Sequence, residues 1–139
     1  MARRQIVNRV GDLPTRTVPA VPEHLTMAAA RKVAALKRVG LLFVERDGRL
    51  VGIVDERALA EAGDDAGVGA VMAPVGTCLH PAMPITRARD LFSLSRQSVL
   101  PVIVGAFLLG AVGRDDVARA LARAHDGSRK RAPRFRAAA

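Results

Sequence analysis

The chain repeats itself. Shifted by 58 residues with no gap, Val10-Gly11 falls on Val68-Gly69, Ala30-Arg31 on Ala88-Arg89, Leu42 on Leu100, Val44 on Val102, Gly52 on Gly110 and Val54 on Val112. Other pairs keep their apolar character, among them Leu25/Met83, Met27/Ile85, Val33/Leu91, Val51/Leu109 and Leu59/Val117. Self-similarity at a fixed period marks a duplicated supersecondary unit, and it constrains the fold more than any single motif does. One such unit would bury little apolar surface alone. Two units packed through their sheets share one core, so the duplication has a stability reason of its own.

Each copy reads in the same order. A short extended piece (Thr17 to Val21; Gly76 to Leu79) ends in a proline-containing turn. Apolar residues at helical spacing then predict a helix over Thr26 to Arg38, with Thr26 as N-cap and Gly40 as the stop, and a second over Pro84 to Gln97. Two strands follow in each copy: Leu41 to Glu45 and Leu50 to Val54, then Val99 to Val104 and Phe107 to Val112. Asp47-Gly48 between apolar runs is a strong hairpin signal, and Gly105-Ala106 stands in its place in the second copy. A short helix closes each unit, Glu56 to Ala62 and Arg114 to about His125. The expected organisation is a basic tail (1–9), a first unit (10–62), a Gly/Asp linker (63–67), a second unit (68–125) and a second basic tail (126–139).

Charge follows the same division. The net charge is +9, but eight of the 22 basic residues lie in residues 1–9 and 129–136, leaving 14 against 13 acidic ones between residues 10 and 126. Nucleic-acid contact is therefore a question about the tails alone, and such ends are more often solvated. With no Trp or Tyr and four Phe, a base-stacking surface is not expected. The single cysteine, Cys78, excludes a disulfide framework and reads as a core thiol on an apolar strand. His24 and His80 sit in turns, and no grouping of residues supports catalysis or a bound metal. No apolar run follows the N-terminal charges, and the uncharged run Gln97 to Gly113 suits paired strands better than a membrane span. A cytoplasmic protein is expected.

The β-α-β-β-α unit in tandem, carrying "DGRLVGIVDERAL" in the first copy and "VGAVMAP" at the start of the second, resembles a CBS-domain pair (Bateman module) of the stand-alone bacterial type. The family pattern places an Asp-Gly hairpin before Gly, two hydrophobic residues, Thr/Ser, two variable residues and Asp-Leu. The resemblance implies an α/β fold of two CBS units packed through their sheets. It implies a non-enzymatic, signal-sensing module that binds AMP, ADP, ATP or S-adenosylmethionine between the units and needs no cofactor. It also implies a homodimer, paired through the closing helices at Leu59, Val117, Ala118 and Leu121.

By the same resemblance, the Asp of the pattern accepts from ribose hydroxyls and the Thr/Ser hydroxyl holds ribose or phosphate. The first copy has Asp55 at the Thr/Ser position and Ala58 at the Asp position, so its cleft (Thr17, Val18, Leu42, Phe43, Asp55, Arg57) is expected to be the weaker. The second keeps Asp116 with Arg114 beside it, though Gly113 lacks a hydroxyl. The favoured site is Gly76, Thr77, Cys78, Leu100, Pro101, Val102, Gly110, Arg114 and Asp116. As an exposed first-turn carboxylate, Asp116 should contribute little to folding stability. The competing reading is a degenerate dimerisation scaffold whose basic tails contact nucleic acid or another anionic partner.

Overall fold

The computed structural model describes residues 8–124. The chain forms β1 (Ala20–Pro22), α1 (Met27–Lys37), β2 (Leu42–Arg46), β3 (Arg49–Val54), α2 (Glu56–Glu61), α3 (Val68–Val71), α4 (Ile85–Leu94), β4 (Val99–Val104) and β5 (Phe107–Gly113). A final helix, α5, occupies residues 114–124. The strands are ordered β1-β2-β3-β5-β4, with β1 parallel to β2 and the other neighbours antiparallel. The second copy's opening strand is reduced to one parallel bridge, Leu79 to Val102. The C-terminal tail and residues 1–7 lie outside the described residues. Asn8 and Arg9, read from sequence as tail, already pair with the start of α4.

Local chemistry explains most boundaries. Thr26 caps α1 by accepting from Ala29 N–H at 3.2 Å. Linker carbonyls take further N–H groups of its first turn, Ala66 from Met27 and Asp64 from Ala28. At the first hairpin both Asp47 and Gly48 have positive φ (53° and 78°), as a tight two-residue turn between twisted strands requires. In the second hairpin only Gly105 does, at 64°. Even the irregularities repeat, since the register slips at Val44/Glu45 and at the equivalent Val102/Ile103. One expectation fails: Gly40 does not stop α1. Arg38 does, in the left-handed region (φ 55°), with its N–H on the carbonyls of Ala34 and Ala35. A Cβ on Gly40 would meet only the side chain of exposed Glu56, 2.6 Å from its carboxylate.

The core has three parts. One gathers Met27, Ala30, Leu42, Val44 and Val54 under α1. A second gathers Ile85, Ala88, Phe92, Leu100, Val102 and Val112 under α4. Between them Phe43, Leu50, Ile53 and Ala111 form a layer shared by the two units. The opening residues of each repeat cross to the other. Val10 and Leu13 are buried with the second unit, and Val68 is buried with the first. The exchange is reciprocal in its hydrogen bonds: Val10 and Gly11 donate to Met83 and Pro81, while Val68 and Gly69 donate to Leu25 and Glu23. No helix among the described residues is long and apolar enough to cross a membrane.

Candidate functional site

The two copies start their closing helices with complementary halves of one capping device. In the first, Asp55 precedes α2 and its Oδ1 accepts from Ala58 N–H at 2.9 Å. In the second, Gly113 has no side chain to offer, and Asp116 reaches back to accept from Gly113 N–H at 3.1 Å. A reciprocal capping box would contain both bonds. Here each copy keeps one.

Asp116 is buried, at 7% exposure, which corrects the expectation of a solvated carboxylate. It also accepts from Arg16 Nε at 2.9 Å and from Arg119 Nη2 at 2.6 Å. Burial pushes its pKa up, but the Arg16 hydrogen bond, the Gly113 N–H and the two guanidinium charges outweigh that and hold it below the ordinary aspartate value. Three of its roughly four acceptor positions are thus committed within the chain. Asp116→Ala strands two guanidinium groups and one backbone donor, a loss of about 1–3 kcal/mol. The expected result is a melting temperature lower by several degrees, read by calorimetry. The depressed pKa sets the sign with pH: the contribution is complete above the ordinary aspartate range and is lost as pH falls through the lower folded-state value. The gap between wild type and Asp116→Asn should therefore close in acid.

A cavity of about 580 Å³ opens where β2 and β4 begin. Its wall is built twice over, from residues 38–41 and from their repeat equivalents 96–99. Arg16, Thr17 and Val18 close one side, and Asp55, Glu56 and Arg57 at the start of α2 close another. Four arginines (Arg16, Arg38, Arg57 and Arg96) meet two acids there. Arg57 pairs with Glu61 and Arg16 with Asp116, while Arg38 and Arg96 have no carboxylate within salt-bridge distance among the described residues. Such an excess of cationic groups suits an anion of several charges.

Residues 10–65 match the family model of the CBS domain. The first unit is a CBS domain, and the chain folds as a CBS-domain pair. The CBS domain pair/ACT domain protein of Thermotoga maritima is 26% identical, with a TM-score of 0.73 over 84% of this chain and 98% of that one. CBSX2, solved in complex with AMP, is 22% identical, with a TM-score of 0.70 over 85% of this chain and 98% of that one. The cytosolic domain of the Mg2+ channel MgtE, solved in complex with ATP, is 24% identical, with a TM-score of 0.75 over 81% of this chain. The chain spans 48% of that domain's length. No curated protein matches closely enough to count as a relative.

Set against the CBS fold, the sequence-selected residues divide. Thr17, Val18, Asp55 and Arg57 meet at the cavity, although their cleft was expected to be the weaker. Leu42 and Phe43 are fully buried in core layers, and so are Leu100 and Val102, so their side chains line no cleft. Pro101 is buried on β4. Gly76 is exposed, and Thr77 and Cys78 are half-buried on an irregular stretch rather than a strand. Burial pushes the Cys78 thiol pKa up, away from reactivity. Gly110 is crowded by Thr15, and a Cβ there would stand 2.1 Å from the Thr15 methyl carbon. Arg114 folds over Phe92, its guanidinium 5.3 Å from the ring centre, and donates to the carbonyls of Ser95 and Gln97. The residues missed from sequence are Arg16, Arg38 and Arg96. Arg38 and Arg96 are identical repeat equivalents outside any core stripe, and that coincidence was the available signal.

Of the four residues expected to pair between chains, one is buried, two are half-buried and one is exposed. Val117 is buried under α4 and Leu121 packs beside it, while Leu59 packs on the first unit's cluster. Ala118 alone of the four is exposed.

Proposed function

We propose that this CBS-domain pair is a non-enzymatic sensor that takes one adenosine-containing ligand (AMP, ADP, ATP or S-adenosylmethionine) in the cavity between its units. The observation that carries this reading is the excess of arginines in that cavity, with Arg38 and Arg96 unpaired among the described residues. Arg38 and Arg96 hold the phosphates, and Thr17, Val18 and Leu41 pack against the base. Asp55 Oδ1 is committed to Ala58 N–H, and Oδ2 accepts from a ribose hydroxyl. The solved relatives that carry AMP and ATP support the ligand class.

Calorimetric titration with AMP and with adenosine tests it. Charge-assisted hydrogen bonds to a phosphate contribute about 1.5–3 kcal/mol each. Arg38→Ala with Arg96→Ala should weaken AMP by roughly tenfold or more and leave adenosine unchanged. Equal AMP affinity in both proteins would move the site elsewhere. No heat from any of the four ligands would favour the dimerisation scaffold. Self-association in the cytoplasm belongs to the same proposal. Leu36 and Leu94, repeat equivalents 82% and 83% exposed at the ends of α1 and α4, are available to a second copy. Light scattering at micromolar concentration should return a dimer mass.

A further inference from the structure

Three substitutions relative to the repeat occur together around Asp116. At the 58-residue shift Asp116 replaces Ala58, Gly113 replaces Asp55, and Arg16, which crosses to the second unit, stands where Pro74 stands in the other repeat. Each member depends on the others. Arg16 crosses from the opening of the first repeat and is pinned by its backbone, its N–H donating to Ala111 O at 2.7 Å and its carbonyl accepting from Ala111 N–H at 3.2 Å. From there the guanidinium lies over Gly113. A Cβ on Gly113 would stand 2.6 Å from both Cζ and Nε of Arg16, so any larger residue, including the family's Thr or Ser, would expel it. Nε donates to Asp116. Among the described residues nothing accepts from Nη1 or Nη2, and Arg16 also lines the cavity.

We propose that Arg16 is a built-in occupant of the second cleft: it fills the space over Gly113, takes Asp116 out of ribose recognition, and limits the chain to one nucleotide, in the cavity. The inference rests on the cavity reading above and adds to it a count and a competition. Asp116 and a phosphate in the cavity draw on the same guanidinium, so the carboxylate weakens the hold of Arg16 on an anion. A ribose-binding Asp116 would do the opposite.

The test uses the full chain with AMP as the probe. Calorimetry should give one AMP per wild-type chain, weaker binding by about tenfold in Arg16→Ala, and binding at least as tight as wild type in Asp116→Asn. Asn keeps an oxygen for Gly113 N–H, so that variant retains the turn. Gly113→Ala, whose Cβ would push the Arg16 guanidinium off Asp116 while leaving both side chains in place, should free Arg16 for the anion and act like Asp116→Asn. A tenfold loss in Asp116→Asn, or two AMP per chain, would overturn the proposal. In ligand-free protein, the Arg16 Nε–H resonance, assigned by its loss in Arg16→Ala, should be shifted and slow to exchange, and should move in Asp116→Asn. If wild type binds no AMP, the cavity reading fails while this resonance still decides the occupant: no change in Asp116→Asn would dismiss it.

Discussion

Leu13→Ala is expected to destabilise the fold by about 2–5 kcal/mol, and to do so in the half of the molecule to which it does not belong by sequence. Leu13 opens the first repeat but is buried, with Val10, among Leu79, Ile85, Phe92 and Val117. Its truncation leaves a cavity beneath α4 that the backbone pairing at Val10 and Gly11 prevents from collapsing. Hydrogen exchange should show protection falling first over α4, β4 and α5, with α1 and β2 less affected. Earlier loss over α1 would contradict the exchanged packing.

Phe43→Ala should cost about 3–5 kcal/mol, an amount comparable with much of a domain's whole stability. Phe43 is fully buried in the layer shared by the two units, against Leu50, Ile53 and Ala111. Its loss therefore weakens both halves together. A single cooperative transition more than about 10 °C below wild type is the expected melting curve. Two separated transitions would mean that the halves fold without that layer.

The elements were legible because their signals are local. An Asp-Gly pair between apolar runs, a Thr before a helical stripe and the repeat itself each act over a few residues or through plain identity. Gly40 misled because the left-handed position that glycine favours falls two residues earlier, on Arg38. Left-handed Arg38, a cost of roughly 1–2 kcal/mol, is tolerated for the capping bonds it makes. The crossing of the opening segments was illegible in principle: identical units present the same apolar pattern whether Val10 packs in its own unit or in its twin. The fate of Asp116 was hidden for a related reason. Its partner Arg16 lies 100 residues away, and only the fold brings them together. The same identity can also mislead. Arg31 and Arg89 are repeat equivalents, yet Arg31 ties the end of α2 and Asp64 to α1, whereas Arg89 meets only its neighbour Asp90.

The sheets of the two units touch, strand to strand, at one place: Arg49 on β3 opposite Phe107 on β5, beside the bond from Leu50 N–H to Ala106 O. That contact sits at the hairpin tips, and the cavity opens at the opposite end of the sheet, where β2 and β4 begin. On the proposed reading the pair has the geometry of tongs, jointed at the hairpin tips and braced along the arms by the shared apolar layer and the crossed opening segments. Six residues of β3 give arms of about 20 Å. A 10° turn about the joint would move the jaws by about 3.5 Å, roughly the thickness of one aromatic ring. The shared apolar layer and the crossed opening segments resist that turn, so on the proposed ligand reading an occupant's size at the jaws would set the angle between the halves.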